Sequence, residues 1–230
     1  MDKLRGALLI AGLSLSLIGE EGFKGGMGGP CLAVSFFDAK ELNARLKAHN
    51  IEELSTQQTC FGGGGSGIIG KVILGGWGFG GGEEVESESV KVKVDYGGGF
   101  FEPGYYLPIT QNLGLSILLG LGGYGYSLNL TPTSLSGADF DTLLTGPGAR
   151  RTSNISAGGL SLSIGGGFLF LIPFEEAFIG LNVKGGYIFS PMKREWELED
   201  GGTLRGAPKL NLNGPFISIG LVFGGKEEKL

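Results

Sequence analysis

Large apolar residues alternate with small or polar ones through most of this chain. From Gly158 to Ser190, Leu160, Leu162, Ile164, Phe168, Phe170 and Ile172 fall on even positions, with Ser161, Ser163, Gly165 and Gly167 among the residues between them. After Pro173-Phe174-Glu175-Glu176 the pattern restarts on odd positions, Ile179, Leu181, Val183, Tyr187 and Phe189, opposite Gly180, Asn182, Lys184, Gly186 and Ser190. A period of two is a strand signal, because successive side chains point to opposite faces. Here one face is large and apolar and the other is tiny or polar. A soluble barrel fills its interior with bulky apolar residues. The inverse arrangement suits a barrel that meets lipid outside and encloses a narrow polar lumen.

The same alternation recurs along the chain. Val72–Gly82 predicts a strand with Trp77 and Phe79 on one face, and Thr59–Ser66 a short Gly-rich one. Val90, Val92, Val94 and Tyr96 alternate with Lys91, Lys93 and Asp95 in a strand reaching about Leu107. Glu86 and Glu88 are expected to pair across strands with Lys91 and Lys93. Leu113 to Leu121 are apolar at odd positions, and at Gly122-Gly123 the parity flips to Tyr124, Tyr126, Leu128 and Leu130, which predicts a β-bulge. Ile217, Ile219, Leu221 and Phe223 mark the last strand. Within Met1–Ile18, the alternation Leu13-Ser14-Leu15-Ser16-Leu17 predicts a first strand; the other reading, from Lys3 and Arg5 ahead of an apolar run, is a secretory signal.

The predicted connections are long at 19–58, short at 67–71, medium at 83–89, short at 108–112, long at 131–153, short at 173–176 and long at 191–210. Tight turns at one rim and longer loops at the other describe membrane barrels. The fold class expected is all-β: a single eight-stranded antiparallel up-and-down β-barrel over 1–230, with a flexible tail at 224–230. One short amphipathic helix belongs in the first long connection. Asp38 is its expected N-cap, with Glu41 three residues on as in a capping box, and Leu42, Leu46 and Ile51 share one side of Ala39–Asn50. This segment, about 38–51, reads as a lid or plug over one barrel end.

Composition narrows the function. Glycine supplies 47 of 230 residues without a collagen period, yet 41% of the chain is hydrophobic, so it is not a disordered Gly-rich polymer. A net charge of −5 with no basic run argues against nucleic-acid binding. One histidine and two cysteines are too few for most zinc sites, and neither a metal nor a cofactor is expected. His49 has no serine or carboxylate in a fixed relation to it, so no catalytic residue is assigned and the chain is not read as an enzyme. No run approaches the ~18 apolar residues of a helical membrane span, an absence natural to a barrel. Cys31 and Cys60 bracket the helix and are either a disulfide, in an oxidising compartment, or two small buried residues.

Architecturally, Leu8 to Phe223 resembles the small eight-stranded outer-membrane barrels of the OmpA/OmpX type. The closing GPFISIGLVF resembles the C-terminal signal read by the barrel-insertion machinery, with the departure that Gly224–Leu230 follow Phe223. The stretch GGMGGPCLAVSFFDAKELNARLK is similar to the openings of Gly-rich barrel proteins of thermophilic bacteria, for which no activity carries over. The resemblance implies an outer-membrane location in the cell envelope, with membrane lipid and the insertion machinery as partners. The role expected is structural or interactive, with room for a narrow pore. The other class is a soluble up-and-down barrel binding a small apolar ligand, which requires the Leu/Ile/Phe face to point inward.

Lumen candidates are Lys91, Lys93, Asp95, Glu102, Asn182 and Lys184, with Lys184 expected to pair with a carboxylate, because an uncompensated charge in a narrow lumen is costly. Candidate interface aromatics are Trp77, Tyr105, Tyr106, Tyr124, Tyr126, Tyr187 and Trp196, which lie towards strand ends, where membrane barrels carry aromatic girdles.

Overall fold

Eight long strands close into a ring in a computed structural model that describes residues 23–88, 90–133, 153–191, 196–198, 202, 204, 206–208 and 211–226. The elements are β1 (Phe23–Phe36), α1 (Lys40–Ala48), β2 (Gln57–Gly70), β3 (Val72–Glu86), β4 (Val90–Pro108), β5 (Leu113–Pro132), β6 (Ser153–Phe174), β7 (Ala177–Phe189), the two-residue β8 (Glu197–Leu198) and β9 (Gly214–Lys226). Each long strand pairs antiparallel with its neighbours in sequence, β7 pairs with β9, and β9 closes on β1. β8 lies outside the ring, on the edge of β6. Following paired residues from Gly25 through Ile68, Ile73, Gly104, Leu118, Gly165, Gly186 and Phe216 leads back to Ser35, ten positions along β1 from the start (35 − 25). With ordinary strand spacings, that stagger around eight strands sets a tilt of roughly 40°.

The first strand is displaced from its expected place. β1 is Phe23–Phe36, and GGMGGP, expected as loop, lies within it. Residues 1–18, expected to supply that strand, fall outside the described residues. GGMGGP carries almost no side chains to show a period, so its extended state follows from register with β2 and β9 rather than from local pattern. β2 is likewise longer than Thr59–Ser66 and takes in Ile68, which is buried. Its hairpin to β3 turns at Lys71, with Gly70 at φ 65° supplying the left-handed backbone. β9 runs to Lys226, so residues 224–226 of the expected tail belong to the last strand, and 227–230 lie outside the described residues.

The predicted bulge at Gly122-Gly123 is absent. Pairing runs in unbroken register through Phe101↔Leu121, Phe100↔Gly122, Gly99↔Gly123 and Gly98↔Tyr124. Instead, the apolar side of the sheet changes. Ile117, Leu119 and Leu121 point outward and are exposed, whereas Tyr124, Tyr126 and Leu128 point inward and are buried.

Two rims result. Lys71, residues 109–112 and residues 175–176 make tight turns at one end, where β1 begins and β9 ends. At the other end, where the longer connections belong, β1, β3, β5 and β7 finish and β2, β4, β6 and β9 start. The expected medium loop at 83–89 shrinks to 87–89, because β3 continues to Glu86. α1 closes this second end. Asp38 accepts the Lys40 N–H at 3.1 Å, but the helix begins after Ala39 and no side chain caps it. Leu42 and Leu46 pack into the cluster that fills the barrel mouth, and Phe37 lies on Tyr126 at 5.0 Å between ring centroids. Buried Asn43 fixes the returning chain: its Nδ2 donates to Leu54 O at 2.9 Å and its Oδ1 accepts Leu54 N–H at 3.0 Å. Asn43→Ala strands both backbone groups and is expected to cost about 1–3 kcal/mol. It should open residues 37–56 to protease while the barrel stays folded; an unchanged digestion pattern would count against this clasp.

Many inward glycines are steric requirements. A Cβ on Gly122 would fall on Gly99 O, one on Gly114 on the Tyr106 ring, and one on Gly224 on Gly26 O. Gly122→Ala is therefore expected to cost about 1–3 kcal/mol through overpacking, read as a lower urea midpoint in detergent micelles. Gly99→Ala faces outward, meets nothing nearer than Trp77 O at 3.8 Å, and should leave the midpoint unchanged or slightly raised. Equal midpoints for the two variants would refute the steric account.

Candidate functional site

The barrel interior has three levels. At the tight-turn end, Ile68, Ile73, Tyr106, Leu118, Leu169, Leu171, Phe178 and Val222 form one apolar cluster. At the long-loop end, a larger one includes Trp77, Phe79, Phe100, Tyr124, Tyr126 and Phe216 and continues into the cap. Polar chemistry lies between them. Lys184 on β7 donates from Nζ to Glu102 Oε2 on β4 at 2.7 Å, with both residues buried. The same ammonium sits 3.9 Å from the centroid of the Trp77 ring, a cation–π contact. Trp77 in turn packs on Phe79 and Phe216 at centroid distances of 4.6 and 5.3 Å. The strand pattern explains these placements: Trp77, Glu102 and Lys184 each take the inward parity of their strands, as Asn182 does beside them.

Above this level lies a hydroxyl cluster. Gln58 Oε1 accepts from Tyr124 OH and Tyr126 OH, both at 2.7 Å, and Ser35 Oγ lies 3.2 Å from Tyr124 OH. On the opposite wall, the Ser161 and Ser190 hydroxyls bond at 2.7 Å. Gln58 and Ser35 were not among the candidates. Their signal is the inward parity they share with Cys60 and Ala33, hidden by the displaced first strand.

Glu102, Asn182 and Lys184 thus meet inside the barrel, whereas Lys91, Lys93 and Asp95 do not. In β4 the inward positions are even, and Val92, Val94 and Tyr96 are buried there. The three charged residues point outward near the long-loop rim. Lys91 pairs with Glu84 at 2.6 Å, rather than with Glu86 or Glu88, and Lys93 pairs with Asp95 at 3.1 Å. Such exposed pairs contribute about 0–1 kcal/mol each.

The aromatic candidates divide in the same way. Tyr105 and Tyr187 point outward. Trp77, Tyr106, Tyr124 and Tyr126 are buried inside the barrel, so they cannot belong to an interface girdle. Trp196 is buried beneath the cap, with Nε1 donating to Pro208 O at 2.7 Å. Cys31 and Cys60 are free thiols. Their partners across the β1–β2 ladder are Gly62 and Ala33, which makes the cysteines diagonal neighbours. Diagonal separations of about 7–8 Å exceed the usual disulfide reach. His49 is exposed where α1 ends.

The outer surface differs from the inside. Leu160, Leu162, Ile164, Phe168, Phe170 and Ile172 on β6 are all exposed, as are Ile217, Ile219, Leu221 and Phe223 on β9, Ile117, Leu119 and Leu121 on β5, Phe101 on β4, Leu74 on β3, Phe61 on β2 and Leu32 on β1. At roughly 2.5 Å of height per tilted residue, the rise from Leu160 to Ile172 is about 30 Å, the thickness of a bilayer's hydrocarbon core.

No protein-family model matches the chain, and no curated protein matches it. Among solved structures, the attachment invasion locus protein Ail of Yersinia pestis is similar at a TM-score of 0.42 and 16% identity, over 90% of this chain and 99% of that one. Neisserial surface protein A is similar at a TM-score of 0.43 and 8% identity, over 88% of this chain and 97% of that one. The outer membrane protein AlkL, solved in lipid bilayers, is similar at a TM-score of 0.37 and 10% identity, over 92% of this chain and 95% of that one.

Proposed function

We propose that the chain is an integral outer-membrane barrel with a structural or interaction role and a closed lumen. The observation that carries this reading is the reversal of polarity across the barrel wall. A belt of exposed Leu, Ile and Phe side chains surrounds a middle level where Lys184 and Glu102 are buried. Water gives such a belt no support, and lipid does. The soluble ligand-binding alternative needs Leu160, Leu162, Phe168 and Phe170 to point inward, and they are 43–59% exposed. Detergent dependence tests the reading: expressed without detergent, the chain should give no monodisperse species, and after refolding in detergent it should migrate heat-modifiably on gels. A soluble monomer would overturn it.

Closure of the lumen rests on the two apolar clusters that bracket the polar level. Eight strands leave room for little beyond side chains. Planar-bilayer recordings of the refolded chain are therefore expected to show no conductance steps. Regular steps would replace the closed barrel with a pore.

A further inference from the structure

Between the two apolar clusters lies a cavity of about 80 Å³, whose polar lining includes Trp77, Glu102, Ser116, Asn182, Lys184 and Ser218. Trp77 is 6% exposed, and among the described residues its Nε1–H has no acceptor. A buried donor without a partner is rare in folded proteins and points to an acceptor other than the described residues. The ion pair beside it has spare capacity too. An ammonium carries three donors, and Lys184 places one of them on Glu102 Oε2. A buried pair is tolerable only when its remaining donors and lone pairs are met.

The size and charge of the cavity define the guest. A water needs ~10–15 Å³, so several fit, whereas a sugar or nucleotide does not. Lys184 and Glu102 cancel, so neither a cation nor an anion gains a net counter-charge by entering. We propose that this chamber is a hydration site, holding a small cluster of long-lived waters that accept the Trp77 Nε1–H and solvate the Lys184–Glu102 pair. The apolar clusters above and below set it apart from both ends of the barrel. The assignment depends on the lumen alone and stands whether or not the barrel inserts in an outer membrane.

The test uses the full chain, refolded in detergent micelles with ¹⁵N-labelled indoles. The chain has two tryptophans, and Trp196→Phe assigns the resonance of the other. The Trp77 Nε1–H is expected to show a direct magnetisation-transfer peak to a long-lived water, and Ser218→Val, which replaces a polar group of the wall by a larger apolar one, is expected to weaken it. Xenon under pressure supplies an independent measurement, because it enters dry apolar cavities. The methyl groups of Ile73 and Leu118, which also line the chamber, should not shift with xenon. Absence of the water peak, or xenon shifts at those methyls, would overturn the proposal. Should Ser218→Val fail to refold, both measurements on the unmutated chain still decide it.

Discussion

Lys184→Met lowers the stability of the refolded barrel by about 3–5 kcal/mol, the range for stranding one member of a buried ion pair. Methionine keeps most of the stem volume, so packing against Trp77 changes little. What changes is charge. Glu102, 6% exposed, loses its partner at 2.7 Å, and the Trp77 ring loses the ammonium over its face. The cation–π contact adds roughly 0.5–2 kcal/mol to the loss. The control is Lys184→Met combined with Glu102→Met. Replacing both members of a buried pair by apolar residues is often neutral or stabilising, so the double variant should recover most of the loss and be more stable than Lys184→Met alone. Urea midpoints followed by gel migration report this without relying on Trp77 fluorescence. A Lys184→Met midpoint equal to that of the parent would mean that bulk water reaches Glu102, and the closed polar level would be wrong.

The same residues show what the sequence could convey. Period-two alternation in β6, β7 and β9 identifies the strands and sorts each into two faces: Leu160, Leu162, Ile164, Phe168, Phe170 and Ile172 share one face, as do Ile217, Ile219, Leu221 and Phe223, and the structure turns those faces outward. Alternation also separates tight turns from loops, because Pro173–Glu176 and residues 108–112 interrupt it sharply. It does not say which face is inside. In the belt, apolar residues point out; nearer the long-loop rim the barrel behaves like a soluble one, with Val92, Val94, Tyr124 and Tyr126 inside and Lys91 and Lys93 outside. The parity change at Gly122 therefore records a change of surroundings along a continuous strand, not a bulge. Val-Lys-Val-Lys-Val-Asp-Tyr carried that information, since lysines on alternate positions of an exposed strand are the ordinary solvated pattern. Glycine hid the rest. GGMGGP and GGGGSG present almost no side chains on either face, so β1 and β2 take their register from partners distant in sequence. The Glu102–Lys184 contact spans 82 positions and three intervening connections, and only the closed ring brings the two together.

Ile164→Lys should cost about 2–4 kcal/mol, the range for a lysine on the lipid face near the bilayer midplane. Ile164 is 51% exposed on β6, paired with Leu119 and Tyr187 on the flanking strands, which also point outward. On a soluble barrel an exposed isoleucine changed to lysine is neutral within about 0.5 kcal/mol and aids solubility. In lipid it places a cation in hydrocarbon with no carboxylate beside it. The two environments thus predict different results for one substitution. Position along the strand sharpens the test. Leu160→Lys lies nearer the long-loop edge of the belt, where a lysine can reach the interface, and is expected to cost about 0–1 kcal/mol. Lys93→Leu, beyond that edge, should change stability by no more than about 0.5 kcal/mol. Unfolding of the three variants from phosphatidylcholine vesicles, compared with the parent, measures the gradient. A cost that peaks at Ile164 and falls towards Leu160 fixes the height at which lipid meets the barrel. A flat profile would mean that the Leu/Ile/Phe belt faces something other than hydrocarbon, because no other feature of β6 makes one outward position more hostile to charge than its neighbour.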